Sequence, residues 1–259
     1  MTSSDLRGRT VLFLHAHPDD EAIFTGITIR RLAEAGARVV LVMATDGDLG
    51  EAFVALHPGE SIAGRRGSEL AAAVRRLGVS RLVSLGYRDS GVRADPGDRD
   101  TLAAANVAGV AEQVAAIARV ERAEALVHYD AQGIYEHPDH VAVHRIGRAA
   151  ARLAGITAYE STVDREHLHL ADGRNHLIYA ASRATRARFG HPSVEITLAI
   201  AGSEAELAAK RDAIAAHGSQ IPAGSLDEAS FASAYGLEWY IRDGARSVLD
   251  ELGNAHIFA

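Results

Sequence analysis

The 259-residue chain contains no cysteine. That excludes a disulfide framework and removes thiolate as nucleophile and as metal ligand, so any metal must be held by histidine and carboxylate. A surplus of positive charge is also missing. Thirty-four acidic residues outnumber 27 basic ones, giving a formal net charge of −7, which argues against a surface that tracks nucleic-acid phosphates. A small-molecule substrate fits that balance better. No apolar run approaches the roughly 18 to 20 residues of a membrane-spanning helix, and Met1-Thr2-Ser3-Ser4-Asp5 lacks the basic flank and apolar stretch of a leader. The chain is expected to be soluble and cytoplasmic. Repeats, low-complexity segments and evident linkers are absent as well. With 47% apolar residues, the length suits one well-buried domain.

What is present alternates short β-rich runs with helical ones, the pattern of βαβ units and a parallel sheet. Strands are expected at Thr10 to His15, Arg38 to Thr45, Arg81 to Leu85 and Ala125 to Tyr129. Helices are expected over Glu21 to Ala35, Ser61 to Leu77, Thr101 to Arg119 and Pro138 to Leu153. From Ile156 the order is less regular. Strand-like runs fall near Thr157 to Val163, His176 to Ala180 and Val194 to Ile200, a helix over Ser203 to His217, and Phe231 to Tyr240 reads as helix or strand. The fold class is therefore α/β: a Rossmann-like, mostly parallel sheet flanked by helices, with an irregular C-terminal extension. Residues 1–155 form the regular core and 156–259 a part that shapes the substrate site. Open α/β sheets bind ligands beyond the carboxyl ends of their strands, so the loops starting at His15, Asp46, Gly86 and Asp130 should converge.

At the first strand-to-helix junction a dinucleotide-binding protein would place glycines. This chain places His17, Pro18, Asp19, Asp20 and Glu21. A second junction reads Tyr135-Glu136-His137-Pro138-Asp139-His140, with Pro138 suited to the first helical turn and His137 and His140 on one side. With His17 and Asp20, His140 completes a two-histidine, one-carboxylate set that leaves a position open for water, as catalytic zinc sites require. Each cluster has a bland alternative. Asp19 or Asp20 could only cap the helix, Asp139 could be a first-turn carboxylate, and His137 or His140 a packed core histidine. His144, four residues beyond His140, is a rival ligand or a packing residue. The coincidence of two such clusters facing one cleft favours a metal site.

Ala16-His17-Pro18-Asp19-Asp20-Glu21 together with His137-Pro138-Asp139-His140 resembles the LmbE-like (PIG-L) family of zinc-dependent N-deacetylases. Thr45 to Glu51, with Asp48 where the family has Glu, Arg66 to Leu70, Asp89-Ser90-Gly91 and His217-Gly218-Ser219-Gln220 are weaker similarities. The resemblance implies Zn2+, or another divalent transition metal, on His17, Asp20 and His140, with Asp19 as general base. It also implies that His137 polarises the oxyanion and protonates the leaving amine while Asp139 holds its ring, and that Arg66, Asp89 and Tyr135 contact substrate. The implied reaction removes an N-acyl group, expected to be acetyl, from an amino sugar or a related conjugate. Another amide or ester hydrolase of a natural-product or thiol-conjugate intermediate, and a noncatalytic metal- or sugar-binding module, are the alternatives. Neither nucleic acid nor a membrane span is expected, and an oligomer is open.

Overall fold

The computed structural model describes residues 5–253 apart from 96, 171, 172 and 223; residues 1–4 of the stretch read above for a leader lie outside them. Among the described residues seven strands form one sheet: β1 (Thr10–His15), β2 (Arg38–Thr45), β3 (Arg81–Tyr87), β4 (Ala125–Tyr129), β5 (Thr157–Thr162), β6 (Leu198–Ala201) and β7 (Leu237–Asp243). Their order is β3-β2-β1-β4-β5-β7-β6. The first five run parallel, and β7 lies antiparallel between β5 and β6. All residues of β1 and β4 are buried, as expected of central strands covered on both faces, which read as continuous apolar runs.

The helices are α1 (Asp20–Glu34), α2 (Ile62–Leu77), α3 (Val107–Glu121), the single turn α4 (Gly133–Glu136), α5 (Pro138–Ala154), α6 (Arg165–Leu170), α7 (Ile178–Thr185), α8 (Glu204–Ala216) and α9 (Glu228–Tyr235). Their limits follow local chemistry. Ser61 and Asn106 accept backbone N–H groups at the starts of α2 and α3, and Ser203 with Glu206 forms a reciprocal capping box on α8. Asn106 explains why the helix expected from Thr101 starts later: Leu102–Ala104 is a separate 3-10 turn. Expectation and structure also differ at His176 to Ala180, which is not a strand but leads into α7. A short apolar run cannot be assigned by periodicity alone. Only the end of the run Val194 to Ile200 pairs, as β6, and Phe231 to Tyr240 divides between α9 and β7.

The C-terminal segments are tied to the first helix through buried charge. Glu238 on β7 accepts hydrogen bonds from Ile27 N (2.8 Å), Thr28 N (2.9 Å) and Lys210 Nζ of α8 (2.7 Å). Among the described residues no helix is long and apolar enough to cross a membrane.

Candidate active site

The chain runs β1, β2, β3 to one side and returns to place β4 on the other side of β1, so the strand order reverses between β1 and β4. Ligands bind at such a switch point, and both His-Pro-Asp junctions begin there.

At the first junction Asp19 takes φ 127°, a conformation unusual for a residue with a Cβ and costing about 1–3 kcal/mol. Its N–H is held by Glu21 Oε2 (3.0 Å). Its carboxylate makes no capping bond to α1, so the bland helix-cap reading does not describe it. Asp20 instead turns back, and its Oδ2 accepts the backbone N–H of His17 (2.8 Å). At the second junction Gly133 has φ 58°, and a Cβ there would stand 2.6 Å from both His140 Cβ and Val141 N, so glycine is required. Ile134 and Glu136 also have positive φ. His137 then caps α5, its Nδ1 accepting the N–H of Asp139 (3.2 Å), with Pro138 in the first turn.

These turns bring three donor atoms together. His17 Nδ1 lies 3.4 Å from Asp20 Oδ2, His140 Nε2 lies 3.3 Å from the same oxygen, and the two nitrogens are 3.3 Å apart. Ligands about 2.0–2.1 Å from a tetrahedral metal are separated by about 3.3 Å. The triangle therefore fits one face of such a site. Looser groupings overlap it: nitrogens of His17, His137 and His140, and donor atoms of His17, Asp89 and Asp139, each lie within 4.8 Å of one another. The first triangle is tighter, and the other ring nitrogen of His17 already has a different partner.

That partner is Asp139. His17 Nε2 donates to Asp139 Oδ2 (3.2 Å) and lies 3.5 Å from Asp89 Oδ1. Asp139 is held in turn by the N–H of Ser90 (2.9 Å) and by the Ser90 hydroxyl. This corrects the expectation that Asp139 holds the His137 ring: only its backbone N–H touches that ring. A carboxylate on the second nitrogen of a metal-binding histidine fixes its tautomer and raises its basicity. Electrostatics point the same way. Burial opposes charge on His17, yet Asp89, Asp139 and Asp20 hold its pKa well above the usual value. Burial likewise opposes charge on Asp20, but His140 and His17 hold its pKa well below the carboxylate range. The pocket draws in positive charge.

Two groups beside the triangle suit proton chemistry. Burial raises the pKa of Asp19 to about 6 against the pull of the Arg66 guanidinium, so this carboxylate titrates near the range where a base is useful. Burial, with His17 and His140 alongside, lowers that of His137 to about 2. Because an N–H can only donate, His137 Nδ1 is the acceptor and the neutral ring carries its proton on Nε2. Its ring stands edge-on to His17 at 4.7 Å.

The expected substrate residues converge on the same place. Tyr135 OH lies 3.3 Å from His140 Nε2, and Asp89 is buried beside His17. Arg66 clamps two loops, donating to Pro18 O (2.7 Å) and Gly47 O (3.0 Å) and reaching Asp19 Oδ2 at 3.4 Å. A Cβ on Gly47 would lie 2.4 Å from that guanidinium. His144 is not among them; its Nδ1 donates to Tyr129 O (3.1 Å). Three supports went unnoticed in the sequence. His217 Nε2 lies 2.8 Å from Glu21 Oε1 and so pins the carboxylate that holds Asp19; Ser90 anchors Asp139; and the Tyr129 ring stacks on His140 at 4.3 Å. Glu21, Ser90 and His217 stood within the motifs, but their pairings span the chain.

The model of the PIG-L family, described as GlcNAc-PI de-N-acetylase, matches residues 12–151. A 1D-myo-inositol 2-acetamido-2-deoxy-alpha-D-glucopyranoside deacetylase from Kineococcus radiotolerans is 46% identical over 165 residues, covering 56% of this chain and 45% of that relative. That match takes in less than half of the relative's length. One of the same description from Salinispora arenicola is 33% identical over 262 residues, covering 91% of this chain and 85% of the relative. Among solved structures, the A40926 pseudoaglycone deacetylase Dbv21 superposes with a TM-score of 0.62 at 18% identity, covering 93% of this chain and 100% of that one. At that identity the likeness speaks for the fold alone.

Proposed function

This chain belongs to the PIG-L family, and on that premise we propose that it is a metal-dependent hydrolase that removes the acetyl group from an N-acetylated amino sugar conjugate. The observation that carries the reading is the triangle of His17 Nδ1, Asp20 Oδ2 and His140 Nε2 beside Asp19, a half-buried carboxylate outside the donor set. A binding module needs the triangle but not the spare base. The 1D-myo-inositol 2-acetamido-2-deoxy-glucopyranoside named for the relatives is the first substrate to try.

In this reading His17, Asp20 and His140 hold the ion, with Zn2+ first among the candidates for an all-histidine and carboxylate set. When bound, it lowers the pKa of water toward neutrality and polarises the amide carbonyl. Asp19 takes the proton from the attacking water. Neutral His137 offers its Nε2–H to the oxygen that becomes negative in the tetrahedral intermediate, as an oxyanion-hole donor. The leaving amine must gain one proton, the one Asp19 has taken from the water, and the resemblance assigns its delivery to His137. Arg66 keeps Asp19 in place, and Tyr135 and Asp89 face the sugar. Residues 156–253 complete the acceptor side of what is treated as one catalytic unit, acting in the cytoplasm.

A second acceptor class has one observation in its favour. Leu49, Phe53, Val54 and Val92 are exposed, and Leu49 lies against Gly91 next to Asp89, an apolar rim suited to a thiol conjugate or natural product with an apolar substituent. The test is release of amine by the metal-loaded protein from the inositol conjugate, N-acetylglucosamine, diacetylchitobiose and apolar thiol conjugates. A chelator should abolish release and zinc should restore it. No amine from any of these by metal-loaded protein would overturn the reading.

A further inference from the structure

The second half of the chain holds a basic cavity that the deacetylase reading does not use. Leu177 to Gly190 contains Arg183, Arg186 and Arg188 and no acidic residue, in a chain whose net charge is −7. Arg186 and Arg188 meet Arg165 around a cavity of about 420 Å³. Arg165 is fixed there, its Nη1 donating to the carbonyls of Phe189 (3.2 Å) and Gly190 (3.0 Å). The side chains of Arg186 and Arg188 make no ion pair or hydrogen bond among the described residues. Two carboxylates share the lining. Glu195 is engaged by His191 Nδ1 at 2.5 Å, which leaves Glu136, among the described residues, as the lining acid without a side-chain partner against three guanidiniums.

The cavity also shares a wall with the active centre. Gln132 and Glu136 line it, and they belong to the same loop that presents Tyr135 and His137 to the donor triangle. Gly190 N donates to Ile134 O at 2.7 Å, joining the arginine segment to that loop.

We propose that this cavity binds a small molecule through a phosphate or carboxylate group, with Arg165, Arg186 and Arg188 as its contacts. Guanidinium forks match the paired oxygens of such anions, and a local positive field on an acidic protein concentrates them. The anionic group belongs either to the acceptor portion of the substrate or to a separate small-molecule effector. Binding itself is independent of the deacetylase reading; only the choice between these sources rests on it.

The test is calorimetric titration of the metal-loaded protein with inorganic phosphate and with glucose 6-phosphate at fixed ionic strength. Saturable binding is expected. It should weaken at least tenfold in the Arg186→Ala/Arg188→Ala variant and remain unchanged in Arg183→Ala, which lies outside the cavity lining. Both substituted arginines are exposed, and an unchanged thermal melt checks that the fold survives. Absence of saturable binding, or binding that the double substitution leaves unaltered because the anion sits elsewhere, overturns the proposal. N-acetylglucosamine 6-phosphate with a lower KM than N-acetylglucosamine, an advantage lost in the double variant, assigns the anion to the substrate. A change in turnover of the neutral sugar on adding glucose 6-phosphate assigns it to an effector. A protein that binds phosphate but frees no amine keeps this site and loses the deacetylase reading.

Discussion

His17-Pro18-Asp19 and His137-Pro138-Asp139 are the same tripeptide at two strand-to-helix junctions, yet their side chains are arranged in opposite ways. In the first, histidine joins the donor triangle and its following Asp19 stands beside it, outside the donor set and 3.4 Å from the Arg66 guanidinium. In the second, histidine caps a helix as a neutral ring, and its following Asp139 crosses to the other junction and supports His17. Backbone conformation makes the difference. Asp19 at φ 127° turns its carboxylate away from the helix start, whereas His137 at φ −66° is an ordinary extended N-cap. Residue type alone does not assign a role; the turn that presents it does.

The harshest way to break this comparison is to remove donors from each junction. His17→Ala and Asp20→Ala on one side and His140→Ala on the other should each lose the metal and about 1,000-fold or more of the activity, since the ion supplies several kcal/mol of transition-state stabilisation. His144→Ala should retain metal. Metal content by mass spectrometry decides, and retention in His17→Ala with loss in His144→Ala would reverse the assignment. Asp19→Asn comes next: full metal content with activity lower by about 100-fold or more, the range for general-base catalysis. Near-normal turnover would remove Asp19 from the mechanism.

A finer distinction separates His137 from Asp139. His137→Ala removes an oxyanion donor, so kcat should fall by about 100-fold, with KM and metal affinity little changed. Asp139→Asn keeps the backbone N–H that His137 accepts but weakens the support of His17, so metal affinity should drop about 10- to 100-fold. With metal below saturation the two losses of activity should multiply, because they act on different groups. A double variant no worse than His137→Ala would restore a direct partnership between the two.

The sequence made the junctions legible because their chemistry is local: a buried apolar strand, a break, and ligating residues before a helix. The parallel core strands and most of their helices were legible for the same reason. Partner choice was not. Proximity along the chain favoured Asp139 with His137, but capping geometry sent the carboxylate to His17, 122 residues away. The Glu21–His217 pair spans 196 residues, and no periodicity encodes such a meeting. The strand expected at His176 to Ala180 failed because an apolar run that short fits either structure, and the ring of His176 is stacked on Tyr235 of α9 at 4.4 Å.

The smallest effect tests a region just past the second junction, where burial acts without a cation site. Glu160 on β5 is pushed up to about 7, by burial first and then by Asp130 and Asp243, with Arg148 and His191 opposing. An unfolded glutamate ionises near the ordinary value of about 4.3, so between there and pH 7 the folded chain binds the extra proton. Stability contributed by this group is therefore lost as pH rises through that window, the reverse of a salt-bridged carboxylate. Glu160→Gln removes the ionisation. It should leave stability nearly unchanged at pH 4 and raise it by about 1–3 kcal/mol at pH 8, measured as urea midpoints at both values. Asp20, held well below its ordinary range by His140 and His17, shows the opposite sign. If Glu160→Gln gained no more at pH 8 than at pH 4, burial on β5 would be no stronger than at the surface, and the contrast with the cation-drawing pocket would shrink to the donor triangle alone.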